Sequence, residues 1–429
     1  MIAIVKPDEL VKHKQFKSIQ QKEEHVVKEI IELVKAEGDP ILYELTHRFD
    51  GVLLDSFMVR KEEIEQAFAE VDPDFLQAVS EAAERIRRYH EKQKQYSWMD
   101  PEEDGTILGQ IVRPLERVGV YVPGGRAAYP STVLMNVLPA KVAGVSEVIM
   151  VTPPLSDGNI HASILVAAKI AGVDTIYKIG GAQAIAALAY GTDTIPQVDK
   201  IVGPGNIYVA LAKKAVYGQV DIDSIAGPSD IVVIADKAAN PTYVAADMLA
   251  QAEHDPLSSA ILLTPSVHLA EQVIIEIEQQ LGDMNRHEIA ASALKNRGGI
   301  CITNDLPEAF ALMNQLAPEH LEILIEKPWD FLSQVKNAGA IFLGEYSPEA
   351  IGDYFAGPNH VLPTEGTSRF FSGLGVDSFI KKMSLISYSR KALLRDGARV
   401  MTLAHTEGLG AHAYSIQVRL DKEKAGENK

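Results

Sequence analysis

The stretch Glu147–Ala189, EVIMVTPPLSDGNIHASILVAAKIAGVDTIYKIGGAQAIAALA, decides the fold of this chain. It opens on Glu147–Thr152, an apolar run too short for a helix and closed by Pro153-Pro154. Ala162–Ala171 then reads as a helix, Thr175–Ile179 as a second strand, and Gln183–Ala189 as a second helix after Gly180-Gly181. Short apolar runs bounded by turn residues are the mark of strands buried on both faces. Strand–helix–strand order joins such strands in parallel, with helices covering both sides of the sheet.

The same texture extends in both directions. Further strands are expected at Val118–Val122, Lys200–Val202, Ile231–Ala235, Ala260–Thr264, Gly299–Thr303 and Ala340–Leu343. Helices are expected at Val133–Val142, Ile207–Val216, Thr242–Ala252 and Leu269–Leu281. Two runs of β-α units, before and after about Ser229, predict an α/β protein with two Rossmann-like layers of predominantly parallel sheet. The first hundred residues are charged and helical instead. Val27, Ile30, Ile31 and Val34 share a helix face that Gly38 ends, and Leu76, Val79, Ile86 and Tyr89 mark a helix reaching about Tyr96. His13, His25, His47 and His90 lie in this polar region and read as surface residues without a role. The tail from Asp421 to Lys429 reads as disordered.

Length and composition narrow the functions. At 429 residues the chain exceeds one ordinary core, so two or more domains are expected. The formal net charge is −17 with no basic block, which argues against a nucleic-acid or anionic-membrane partner. The first residues are too short an apolar run for a signal peptide, and no stretch is long and apolar enough to span a bilayer. The single cysteine, Cys301, excludes an internal disulfide and a thiolate metal cluster, so a cytoplasmic setting is expected.

Three glycine-rich turns follow strands: Val122-Pro-Gly-Gly125, Gly180-Gly-Ala-Gln183 and Gly203-Pro-Gly-Asn206. Turns of this kind at the carboxyl ends of strands suit phosphate, although each taken alone reads better as a plain tight βα turn. No Gly-x-Gly-x-x-Gly occurs, so pattern alone does not name a dinucleotide. Asn240-Pro241 reads as a helix start, and that helix should carry through to about His254. Gln251 and His254 would then share a face: half of a metal site, or a polar last turn favourable to the helix dipole. The last third concentrates acid–imidazole pairs, in Leu316–Leu321, Gly352–His360 and His405–His412. Without cysteine ligands, such pairs are compatible with an N/O-ligated zinc or similar ion, but their spacing is not diagnostic.

Taken together, these segments resemble the histidinol dehydrogenase family along nearly the whole chain. The matching motifs are Tyr121–Gly125, Gly180–Ala184, Lys200–Asn206, Ala226–Asp230, Gln251–Asp255, Ala317–His320 and Gly357–His360, all in order. The resemblance implies two incomplete Rossmann-like domains with small N- and C-terminal helical extensions. It divides the chain into an extension over 1–16, a first domain over 17–121 and 230–372, a second over 122–229, and a dimerisation extension over 373–429. It implies Zn2+ held by Gln251, His254, Asp353 and His412, and Glu319 with His320 as the catalytic acid–base pair. Ser229, His360 and Glu407 would bind the substrate, with His320 and the zinc ligands touching it or lying beside it. Tyr121, Gln183 and Asn206 would contact NAD. The substrate would be L-histidinol, oxidised by four electrons to L-histidine, in an intertwined homodimer where His412 and Glu407 reach the partner's site.

Three other readings predict different behaviour. A zinc- and NAD-dependent dehydrogenase of another small polyol, such as a sulfonated diol, would not oxidise histidinol readily. A zinc hydrolase, with Glu319 driving a metal-bound water, would act without nicotinamide. A non-catalytic metal-binding protein leaves the adjacent Glu319-His320 without a reason.

Overall fold

Thirteen strands form among the described residues of the computed structural model, which are 2–8, 10, 21–124, 128–225 and 227–427. They are β1 (Trp98–Pro101), β2 (Ile107–Pro114), β3 (Arg117–Tyr121), β4 (Glu147–Thr152), β5 (Thr175–Lys178), β6 (Lys200–Val202) and β7 (Asp221–Ile222), then β8 (Asp230–Ala235), β9 (Ser259–Thr264), β10 (Gly299–Ile302), β11 (His320–Leu324), β12 (Ala340–Leu343) and β13 (Ile380–Ser387). Gly125, Ala226 and His13 lie outside the described residues. The chain divides into two compact units, 1–94 with 115–379, and 95–114 with 380–429.

The larger unit holds two parallel sheets of five strands, in the orders β5-β4-β3-β6-β7 and β10-β9-β8-β11-β12. Both have the relative order 3-2-1-4-5, the Rossmann arrangement without its sixth strand. Both faces of each sheet are buried, which is why the strands read as continuous apolar runs. In β4, Val148 and Met150 enter one core while Ile149 and Val151 enter the opposite one. In β8, Ile231 and Val233 face the helices Pro241–Ala252 and Val267–Leu281, and Val232 and Ile234 face the helix Leu306–Leu316.

The helices Gln21–Glu37, Asp39–Asp50, Lys61–Glu70 and Pro73–Glu91 cover the β3–β7 sheet. Their apolar stripes (Val27, Ile30 and Val34 among them) meet Ile149, Tyr177 and Ile185. The described N-terminal residues instead extend the second sheet, where Ala3 and Val5 exchange backbone hydrogen bonds of 2.9 Å with Ile300 of β10.

The smaller unit was not foreseen as a sheet. β1, β2 and β13 form a three-stranded antiparallel sheet, followed by the helices Arg390–Thr406 and Gly410–Glu427. The second helix carries through most of the tail expected to be disordered. Two other helix ends differ. Pro73–Glu91 stops short of Tyr96, and Pro241–Ala252 ends before His254, although Asn240 caps its start by accepting the Thr242 N–H at 3.0 Å. His90, read as a surface histidine, is fully buried and hydrogen-bonded to Gln93 at 2.7 Å, because it falls on the inner face of its helix.

Candidate active site

The helix Leu306–Leu316 ends at Ala317, whose backbone is left-handed (φ 47°), and Pro318 cannot extend it. The turn delivers Glu319 and His320 to the amino end of β11, where His320 lies in register between Ile231 of β8 and Ala340 of β12. Alternate strand residues share a face, so His320 and Glu322 point the same way while Leu321 and Ile323 enter the opposite core. They face the helix Pro241–Ala252, and the His320 Nδ1–H donates to Gln251 Oε1 at 3.0 Å. Glu322 meets Asp247, one turn earlier on that helix, and burial followed by this contact lifts the Glu322 carboxyl well above its usual range.

The short helix Glu349–Tyr354 closes the other side. Its first N–H donates to Glu322 Oε1 at 2.8 Å. Glu349 Oε1 lies 3.6 Å from His320 Nδ1, and Asp353 Oδ1 lies 3.7 Å from His320 Nε2. Burial opposes charge on His320, but Glu349, Glu319 and Asp353 outweigh it and raise its pKa well above the ordinary imidazole value. For Asp353 burial is likewise outweighed, chiefly by His320, and its pKa is lowered. Glu319 behaves differently: burial pushes it up to about 8, with His320 opposing and Asp230 and Glu349 adding to the rise.

Gln251 is wholly buried, and its Nε2 and the His320 Nε2 have no hydrogen-bond partner. The amide nitrogen is no metal ligand, but the Gln251 amide oxygen, the Asp353 carboxylate and the His254 imidazole, which lies close enough to Asp353 to feel its charge, are N/O donors that suit zinc or a similar divalent ion. His320, Glu349 and Asp353 also bring ligand atoms within 4.8 Å of one another, an approach that the opposite charges of imidazolium and carboxylates explain by themselves. His254 follows the helix end, its N–H donating to Gln251 O at 3.3 Å. Its side chain is exposed. His360 is half-buried and donates from Nδ1 to the Asp353 carbonyl at 3.0 Å; burial, partly offset by Asp353, holds its pKa below the usual value. The Gly357-Pro358-Asn359 turn brings it there. Gly357 has φ 116°, and a β-carbon there would stand 2.9 Å from the Arg85 carbonyl oxygen; Asn359 Nδ2 donates to Met135 O at 2.6 Å. Ser229 is half-buried, directly before β8. Glu407 and His412 belong to the smaller unit, and both are exposed.

Tyr121, Gln183 and Asn206 lie toward the carboxyl edge of the other sheet, at the end of β3, in the first turn of the helix Gly181–Tyr190 after β5, and in the turn after β6. Tyr121 is buried, its hydroxyl accepting the Gly181 N–H at 3.1 Å, and burial pushes its pKa to about 12. Gln183 is also buried, and Asn206 caps the helix Ile207–Val216 by accepting from the N–H groups of Tyr208 and Val209 at 3.0 and 3.2 Å. Because β3 lies between β4 and β6, these turns flank the point where the strand order reverses, the usual ligand crevice of open α/β sheets. A β-carbon on Gly205 would stand 2.4 Å from the Val209 side chain, so this turn packs directly on the first turn of its own helix and has room only for glycine.

Sequence reasoning missed Asp230, Asp247, Glu322 and Glu349 as parts of this centre. Asp230 stood in a quoted motif without a role. The others carried no local signal, since a lone acid beside apolar residues is ordinary.

Two open Rossmann-like sheets and a buried acid–imidazole centre at the amino edge of one of them define an α/β protein with the layout of a two-site enzyme. Residues 13–420 match the histidinol dehydrogenase family. The histidinol dehydrogenase of Halalkalibacterium halodurans is 58% identical over 402 residues, covering 94% of this chain and 95% of that protein. That of Clostridium acetobutylicum is 54% identical over 426 residues, covering 98% and 99%. The crystal structure of the Elizabethkingia anophelis enzyme of that name superposes with a TM-score of 0.91 at 40% identity, over 96% of this chain and 94% of that one. The chain belongs to the histidinol dehydrogenase family.

Proposed function

We propose that this chain oxidises L-histidinol to L-histidine with two NAD, through enzyme-bound histidinaldehyde, as the last step of histidine biosynthesis. One observation carries the reading: in a chain so similar to histidinol dehydrogenases, Glu319 and His320 are buried side by side next to Gln251 and Asp353. In the first oxidation the carbinol carbon gives up a hydride and its hydroxyl a proton. The aldehyde then takes up water, and the hydrate loses a second hydride and a second hydroxyl proton to leave the acid. Tyr121, Gln183 and Asn206 would hold NAD, which would supply the hydride acceptor.

Gln251, His254 and Asp353 would hold zinc together with His412, and the ion would supply a fixed positive charge that orients the substrate's imidazole and amine. Asp353, as a ligand, would support the charge of His320 less, which would favour the neutral ring that can take a proton. The Gln251 oxygen holds Nδ1–H, and Nε2, which faces Asp353 at 3.7 Å, is the atom that would receive the hydroxyl proton in both oxidations. Glu319, raised to about 8 and adjacent, takes the proton of the water that adds to the aldehyde. Ser229, His360 and Glu407 would bind the substrate.

His412 and Glu407 would come from a second copy, in a homodimer with shared sites. The exposed apolar side chains of the smaller unit support this, with Ile386 71%, Leu403 67% and Tyr414 67% exposed. Among the described residues no helix is long and apolar enough to cross a membrane. The cytoplasm is proposed from the single cysteine. The test is the number of NADH formed per histidinol consumed by zinc-loaded protein. Two, with histidine as product, supports the reading; one, with released aldehyde, removes the second step; none removes the substrate.

A further inference from the structure

We infer that Asp230 is a positioning residue for Glu319, locking the carboxyl group that prepares the water. Asp230 is the first residue of β8, 3% exposed, and β8 pairs with β11 in parallel register from Ile231 opposite His320 onward. One residue earlier the ladder changes character. The Asp230 N–H donates to Glu319 Oε2 at 3.1 Å, and the Glu319 N–H donates to Asp230 Oδ1 at 2.9 Å. Each backbone donor is thus taken by the other residue's carboxyl group, and the two strand ends hold each other's side chains. The second Asp230 oxygen accepts the Glu365 N–H at 3.1 Å, and Gly227 N donates to Thr364 Oγ1 at 2.7 Å, so the 227–230 segment is fastened to the 364–365 turn as well.

The consequence follows from side-chain freedom. A glutamate has three rotatable bonds, and a general base must hold its oxygen within hydrogen-bond reach of the water it deprotonates. A backbone donor on Oε2 fixes the rotamer of Glu319 and leaves Oε1 outside the pair. Asp230 also fixes the backbone at Glu319, and His320 follows on the same strand. Ser229, proposed to bind the substrate, is the preceding residue, and its carbonyl accepts the Ser259 N–H at 3.0 Å. Asp230 therefore sets the distance between a substrate contact and the water-activating group without reaching the reacting atoms.

This inference rests on the reading of Glu319 as the water-activating base, and a double-mutant cycle separates the two. Wild type, Asp230→Asn, Glu319→Gln and the double variant are assayed, zinc-loaded, for histidinol oxidation and separately for NADH formed from histidinaldehyde. Asp230→Asn keeps the backbone donor and alters the acceptor side. It is expected to lower kcat for aldehyde oxidation about tenfold, with zinc content and the KM for NAD unchanged, and to add nothing in the Glu319→Gln background. Asp230→Glu, which restores the carboxyl group one carbon out of place, should recover part of the rate. It also serves as the second variant in the cycle should the asparagine variant fail to fold. Losses that multiply in the double variant, or that fall equally on both half-reactions, would overturn the positioning role. Normal aldehyde oxidation by Glu319→Gln alone would instead remove Glu319 as the base, a separate failure visible in the same data.

Discussion

His320 and its neighbour Glu319 are pushed toward their protonated forms by different causes. Glu349 and Asp353 are among the carboxyl groups that outweigh burial and favour the charged imidazole, while burial itself keeps Glu319 protonated up to about 8. Replacing His320 with asparagine should leave the zinc stoichiometry intact and slow both oxidations by about a hundredfold or more, read as single-turnover rates for histidinol and for histidinaldehyde. Normal turnover in that variant would take His320 out of the mechanism. The pH dependence of Glu319 has a definite sign. Its folded pKa of about 8 stands above its ordinary 4.5, so the fold favours the protonated form. That contribution to stability is complete below about 4.5 and is lost as pH rises through about 8. Water activation needs the ionised form, so aldehyde oxidation should climb as pH rises toward about 8. In Glu319→Gln the climb should be absent; a pH–rate profile that keeps it would assign the limb to another group.

At the scale of elements, the two sheets use opposite edges. The glycine turns lie at the carboxyl edge of the β3–β7 sheet, whereas Asp230, Glu319 and His320 lie at the amino edge of the β8–β12 sheet. A buried ion pair stiffens the first of these edges. Lys213, on the helix Ile207–Val216, donates to the Gly203 carbonyl at 2.9 Å and pairs with Asp223 Oδ1, while Asp223 Oδ2 accepts the Gly203 N–H at 2.8 Å. Gly203 has φ 109°, and a β-carbon there would stand 2.1 Å from the Tyr121 carbonyl oxygen, so the turn admits only glycine. Lys213→Met should leave Asp223 buried without its cation and cost about 3–5 kcal/mol, measured by denaturant unfolding. The KM for NAD should rise more than that for histidinol, because only the turn before Asn206 is loosened. A loss under 1 kcal/mol would mean that the pair is dispensable, by about the margin of an exposed one. Strand β11 was the element hardest to see in the sequence. Its polar His320 and Glu322 interrupt the apolar run that made β4 and β8 legible, because one of its faces is turned into the site.

For the whole molecule, the proposed dimer has His412 and Glu407 supplied by a second copy of the chain. Co-expression of differently tagged His320→Asn and His412→Ala chains tests the shared-site dimer. Each variant alone should be nearly inactive. In a mixed dimer one site inherits both defects and the other neither, so the statistical mixture should regain about a quarter of wild-type activity. Mixed dimers that are isolated by both tags and remain inactive would show that each chain completes its own site.

The sequence alone determined which segments are strands and helices wherever both faces are apolar, and hence the parallel α/β class. Its motifs also carried the family, because they sit in short contiguous stretches, those of Gln251, Glu319 and His320 among them. Only the tertiary structure decided which sheet the N-terminal helices cover, since an amphipathic stripe states that it needs a partner and not which one. The pairing of Asp230 with Glu319, 89 residues apart in the chain, and the meeting of Glu322 with Asp247 and Glu349 were likewise invisible beforehand. Buried acids take their properties from neighbours brought in by the crossovers of a parallel sheet, and no local spacing encodes those neighbours.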